Sequence, residues 1–142
     1  MTATRCVFTY GSLMYDAVWE HVVGGRYRRS AAVLDGWRRL RVLDEAYPAL
    51  VPGAGGRVGG VLYHDVEPQD LQRLDAFEGP EYDRVEVTVQ LDDGRRCAAQ
   101  VYRWIARDRL IPLEWDPEWF EREGMAPFLQ RYAGGVRGPQ RR

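Results

Sequence analysis

The chain has 142 residues, a length that fits one domain, and its 45% hydrophobic and 12% aromatic content is sufficient for one core. Its 20 basic and 21 acidic residues leave a net charge of −1, without the basic excess usual in nucleic-acid-binding domains. No segment recurs at a fixed period, no apolar run nears the roughly 18 residues that cross a bilayer, and Met1 to Cys6 lacks a signal-peptide pattern, so the chain reads as soluble and cytoplasmic.

Residues 6–10, Cys-Val-Phe-Thr-Tyr, are β-branched and aromatic and stop at Gly11, which predicts a strand closed by a turn. Met14, Ala17, Val18 and Val22 recur at helical spacing before Gly24-Gly25, which predicts a short helix over 14–22. Residues 26–34 and 37–43 read as two strands around the turn dipeptide Asp35-Gly36. Tyr47 to Pro52 is extended, with two prolines fixing φ. The glycine-rich stretch 53–60 leads into a strand over Val58 to His64. Pro68 opens a helix whose Leu71 and Leu74 face inward, and Gly79 ends it. Strands over 82–91 and 95–104 flank Asp92-Asp93-Gly94, a hairpin signal. A last amphipathic helix spans 117–132, and 134–142 reads as a disordered tail after a single domain over 1–133. Strands and helices do not alternate, so the class is α+β around a curled sheet or small barrel.

All 20 basic residues are arginines, which leaves no lysine for Schiff-base chemistry or a phosphate loop. Cys6 and Cys97 form no C-x-x-C and read as reduced, packed thiols. His21 and His64 stand alone, without partners at metal-ligand spacing, so neither a metal nor another cofactor is expected. The stretch Gly53 to Gly60 lacks the Lys-Ser/Thr and following helix of a phosphate loop, and reads as a turn or bulge. The clusters Arg26-Tyr27-Arg28-Arg29 and Arg38-Arg39-Leu40-Arg41 are consistent with a solvated sheet face, or with RNA contact if Tyr27 and Trp37 stack on bases.

Two segments carry chemistry. Ser12 follows the first strand in Tyr10-Gly11-Ser12-Leu13-Met14, but Leu13 and Met14 stand where a serine-hydrolase elbow places its second glycine. The backbone N–H groups of this turn are helix-start donors, suited to a carboxylate or a developing oxyanion; an ordinary connection has the same look. Glu78 is the second. It follows Phe77 at a helix C-terminus, ahead of Gly79-Pro80, where the helix dipole and apolar neighbours both disfavour its charged form. That suits a group acting first as base and then as acid.

Together these motifs resemble the gamma-glutamylcyclotransferase-like family, which includes gamma-glutamylamine cyclotransferases and avirulence-induced plant proteins. The resemblance is carried by Tyr10-Gly11-Ser12-Leu13, then Tyr47-Pro48-Ala49 with Val51-Pro52, then Val58-Gly59-Gly60-Val61-Leu62-Tyr63. Leu74-Asp75, Phe77-Glu78-Gly79, Tyr82 and Arg84 follow, and Val101-Tyr102 closes the series, covering about residues 6 to 104. It implies a small mixed β-barrel with peripheral helices. It implies catalysis by Glu78, and substrate binding by Tyr10, Gly11, Ser12 and Leu13, with Tyr82 nearby. It also implies a small gamma-glutamyl substrate that releases 5-oxoproline and an amine or amino acid. The rival expectations are a non-catalytic ligand-binding module of the same fold and an RNA-binding domain.

Overall fold

The computed structural model describes residues 3–106 and 108–133. Its elements are β1 (Arg5–Thr9), a 3-10 turn (Ser12–Met14), α1 (Asp16–Val22), β2 (Arg29–Val42), β3 (Pro48–Val66), α2 (Pro68–Glu78), β4 (Tyr82–Leu91), β5 (Arg96–Trp104) and β6 (Leu110–Glu114). A C-terminal helical run follows, formed by α3 (Pro117–Trp119), a π-helical segment (Phe120–Gly124) and α4 (Met125–Ala133). The expected tail over 134–142 lies outside the described residues. No helix among those described is long and apolar enough to cross a membrane.

The strands hydrogen-bond in the order β3-β1-β5-β4-β2, and β2 pairs again with β3, which closes a five-stranded barrel. The β1–β5 contact is parallel, and the other ladders are antiparallel. β6 lies outside this ring, on the far end of β2. Mixed pairing plus peripheral helices matches the α+β barrel that the motifs implied.

Alternation decides what the barrel wall buries. On β1, Phe8 joins an interior cluster with Leu34, Leu50, Leu62, Val89 and Val101, while Val7 faces an outer cluster. That outer layer is aromatic: Trp19, Tyr63, Phe77, Tyr82, Tyr102, Trp104 and Phe120 fill the space between the wall and the helices. Trp19 stacks on Tyr63 with ring centroids 3.6 Å apart.

The turn expected at Asp35-Gly36 is not a chain reversal. Residues 29–42 form one strand, and the register jumps from Asp35↔Arg57 to Trp37↔Pro52. Gly36 takes φ +89° and Gly55 φ +79°, so the left-handed residues build a bulge with 53–56 looped out against Gly36. A dipeptide that permits positive φ does not distinguish a bulge from a hairpin. The glycine-rich stretch is thus a bulge within β3, as its reading as turn or bulge allowed. Gly56 fits because a Cβ there would stand 2.2 Å from the Trp37 carbonyl oxygen. The true reversal lies over 43–47. The bulge gives the hairpin two tasks: residues near 29–35 and 57–63 close the barrel, while 37–42 and 48–52 extend past it, with Leu50 still in the interior cluster, pair with β6 through 40–42 and lead to Tyr47-Pro48.

The expected helix over 14–22 is a 3-10 turn followed by α1. The strand β6 had no counterpart in the sequence reading. It is short, contains Pro112 and has its inner neighbour on one side only, a place where proline is tolerated. α2 starts with Pro68 in its first turn, buries Leu71, Leu74 and Phe77, and ends where Gly79 takes φ +79°.

Candidate active site

The turn after β1 is fixed through its carbonyls. Arg39 Nη1 donates to the Tyr10 carbonyl at 2.9 Å, Met14 N to Gly11 at 3.0 Å, and Tyr15 N to Ser12 at 3.2 Å. The Tyr63 hydroxyl donates to Leu13 at 3.1 Å, and Arg29 Nη2 to Met14 at 2.9 Å. None of these bonds uses the Gly11, Ser12 or Leu13 N–H. Gly11 is packed under Pro48, two of whose ring carbons would stand 2.7 Å from a Cβ at that position. A side chain here would push the turn off Pro48.

The turn forms one wall of a pocket at the barrel end. Phe8, Thr9, Tyr10, Gly11, Ser12, Leu13, Tyr47, Pro48, Phe77, Glu78, Tyr82, Tyr102 and Phe128 line it. Glu78, half-buried at the C-terminus of α2, faces this pocket. It also borders an adjoining cleft with Asp75, Gly79, Asp83 and Arg84. Glu78, Tyr82 and Tyr102 are common to both spaces.

Tyrosine hydroxyls tie the walls to the backbone. Tyr10 donates to the Tyr102 carbonyl at 2.5 Å, and Tyr82 to the Pro48 carbonyl at 2.6 Å. The Tyr102 hydroxyl donates to Asp75 Oδ1 at 2.6 Å; Arg84 Nε meets the same carboxylate at 2.8 Å, and Arg84 Nη1 reaches Gln100 Oε1 at 2.7 Å. Burial raises the pKa of Tyr10 well above the phenol range, and the Glu78 charge adds to the shift. Tyr102 is raised for the same leading reason, then by its bond to Asp75 and by Glu78. Both phenols therefore stay protonated as donors at neutral pH, beside a carboxylate.

Every candidate site residue, Tyr10, Gly11, Ser12, Leu13, Glu78 and Tyr82, borders this one pocket. Tyr47, Pro48, Phe77, Tyr102 and Phe128 join them without having been singled out as site residues. Tyr102 lies in the Val101-Tyr102 motif, and strand alternation gives its direction: Val101 enters the interior cluster, so Tyr102 points outward toward α2. Nothing local in the sequence points to Phe128, which arrives from α4.

The arginine clusters make intramolecular contacts. Arg29 pairs with Asp16, Arg38 with Glu114, and Arg41 with the Glu114 carbonyl, while Tyr27 donates to the buried Asp70. Cys6 and Cys97 are free thiols on neighbouring strands, with Sγ atoms 3.8 Å apart. His64 is buried and hydrogen-bonded to Ser30 Oγ at 2.8 Å. Among the described residues, no group of three or more His, Cys, Asp and Glu side chains is placed to hold a metal ion.

A family model described as gamma-glutamyl cyclotransferase, AIG2-like, matches residues 7–120. The chain belongs to this family. AIG2-like protein A of Arabidopsis thaliana is 33% identical over 128 residues, covering 89% of this chain and 78% of the relative. The solution structure of At5g39720.1, also from Arabidopsis thaliana, superposes with a TM-score of 0.70 at 31% identity, covering 90% of this chain and 87% of that one. A solved gamma-glutamyl cyclotransferase aligns with a TM-score of 0.69 over 96% of this chain and 90% of its own, at 15% identity, a likeness of fold. Barrel and peripheral helices are thus features of the AIG2-like fold.

Proposed function

We propose that this AIG2-like protein is a gamma-glutamylcyclotransferase that releases 5-oxoproline and an amine or amino acid from a small gamma-glutamyl substrate. The observation that carries this reading is that Glu78 and the Tyr10–Leu13 turn line one pocket. A carboxylate facing backbone donors offers a proton acceptor and an oxyanion receptor in the same space.

The substrate brings its own nucleophile. Glu78 takes a proton from the α-ammonium group, and the freed amine attacks the γ-carbonyl carbon. The carbonyl electrons move to oxygen, where the N–H groups of Gly11, Ser12 and Leu13 receive the negative charge. Glu78 then returns the proton to the leaving nitrogen as the C–N bond breaks. The ring nitrogen gives up its second proton through the restored Glu78 carboxylate to the released amine, so the five-membered lactam of 5-oxoproline departs together with an ammonium ion and Glu78 is again a carboxylate. The step is redox-neutral and needs no enzymic nucleophile. Holding the amine against the carbonyl supplies roughly 7–11 kcal/mol as effective molarity, and proton shuttling adds about 10²–10⁴-fold. Tyr82 acts on the wall, through Pro48 and thence Gly11.

The test is 5-oxoproline release from panels of gamma-glutamyl amines and gamma-glutamyl amino acids, with Glu78→Gln alongside. The expected result is turnover by the native chain, and retained binding with turnover lost in the variant. A variant that releases 5-oxoproline at the native rate overturns the role of Glu78. Binding without release by the native chain makes the protein a ligand-binding module.

A further inference from the structure

Arg39 differs from the arginines beside it. Arg38 pairs with Glu114, but Arg39 makes no ion pair among the described residues. Its guanidinium is directed at main-chain oxygens instead: Nη1 reaches the Tyr10 carbonyl at 2.9 Å and the Gly59 carbonyl at 3.3 Å. The group lies over the Trp115 ring, 5.3 Å from its centroid, and Nε is buried without a hydrogen-bond partner. Trp115 is itself held, through Nε1 to the Ala46 carbonyl at 2.7 Å and through its backbone N–H to the Arg39 carbonyl at 3.0 Å. A cation seated on an aromatic face and aimed at an acceptor has little freedom to swing away.

The acceptor is the carbonyl half of the Tyr10–Gly11 peptide. Among the described residues no peptide bond is cis, so the Gly11 N–H points opposite to the Tyr10 carbonyl. Fixing one end of the peptide plane fixes the other, and a charged donor on the carbonyl strengthens the N–H as a donor in turn. Burial pulls the Arg39 guanidinium below its ordinary pKa. Its charge is therefore screened less than it would be in bulk water.

We propose that Arg39 is a positioning residue for the oxyanion-binding turn: seated on Trp115 and bonded to β3 at Gly59, it holds the Tyr10 carbonyl and so orients and polarises the Gly11 N–H that meets the reacting oxygen. This rests on the cyclotransferase reading above. Arg39 touches no substrate; it acts through one peptide unit. Because the oxygen gains its charge in the transition state, loss of Arg39 lowers kcat more than it raises KM.

The experiment uses the native chain, Arg39→Gln and Arg39→Lys, each labelled with 15N. Release of 5-oxoproline from a gamma-glutamyl amine gives kcat and KM, and the Gly11 amide proton shift is read in the free protein. Arg39→Gln is expected to lower kcat about tenfold with KM within about twofold, and to move the Gly11 amide proton upfield. Arg39→Lys, which keeps the charge without the planar fork, recovers part of both. An unchanged kcat, a loss carried by KM, or a Gly11 amide that stays in place overturns the proposal. If Arg39→Gln fails to fold by circular dichroism, Arg39→Lys decides: smaller changes in the same directions support the proposal, and native values overturn it. If the native chain releases no 5-oxoproline, the cyclotransferase reading fails. The Gly11 shift then decides alone whether Arg39 governs this peptide.

Discussion

The barrel interior and the layer outside it are built from different residues. The interior is chiefly aliphatic, from Leu34 on β2 to Val89 on β4 and Val101 on β5, with Phe8 and Tyr10 at the pocket end. The outer layer is aromatic, and the tyrosines in it carry hydroxyls that reach carbonyls on other elements: Tyr63 on the 3-10 turn, Tyr82 on β3. The pocket lies at the seam. Phe8 and Tyr10 enter from the inner cluster, and Phe77, Tyr82, Tyr102 and Phe128 from the outer one. Stability and positioning are therefore assigned to separate residues, and substitutions can separate them.

The largest expected effect belongs to the interior. Leu34→Ala leaves a void at a buried site and should cost about 2–5 kcal/mol in urea unfolding. The kcat of the folded fraction should not change; a parallel fall in kcat would break the separation. Gly11→Ala tests the seam. Its Cβ would stand 2.7 Å from Pro48 Cδ and Cγ, so the turn must shift. On the order of 100-fold in kcat should be lost, with a smaller change in melting temperature than Leu34→Ala produces. Tyr82→Phe keeps the ring and removes the hydroxyl bonded to the Pro48 carbonyl. It should cost about 1 kcal/mol of stability, read in the same urea titration, and a KM change larger than that of Leu34→Ala.

The smallest effect belongs to His64, in neither cluster. Burial lowers its pKa from 6.5, and the Arg28 charge lowers it further. The unfolded chain then binds more protons than the native one between the two pKa values. The stability tied to neutral His64 is present in full above about pH 6.5 and is lost as pH falls through the depressed native value. The urea midpoint should drop as the pH falls from about 6.5 through the depressed native value, and less so in His64→Gln. Equal drops in both proteins would assign the acid sensitivity elsewhere.

Much of this was legible in the sequence, where the signal was local. Pro68 and Gly79 bracket α2, Asp92-Asp93-Gly94 joins β4 to β5, and the motif order indicated the barrel and its family. Local signals misled at Asp35-Gly36, because positive φ serves bulge and reversal alike, and they were silent for β6, whose strand character comes from β2 beside it. Of the pocket, the residues within motifs were legible, and those supplied by tertiary packing were not. Arg39 looked like one of a run of surface arginines, and only the fold shows that it alone in that run holds the Tyr10 carbonyl.

The parallel contact of β1 with β5 has a consequence for how the molecule comes into being. β1 sits between β3 and β5, so the ring closes only when the latest of its five strands to be synthesised docks beside the earliest. The bond from the Tyr10 hydroxyl to the Tyr102 carbonyl spans 92 residues, a separation that makes its formation slow relative to the neighbouring hairpins. On the ribosome the β2–β3 hairpin and α2 can assemble first, while the turn after β1 waits for β5. The pocket wall shared by Tyr10 and Tyr102 is complete only once the first and fifth strands have met.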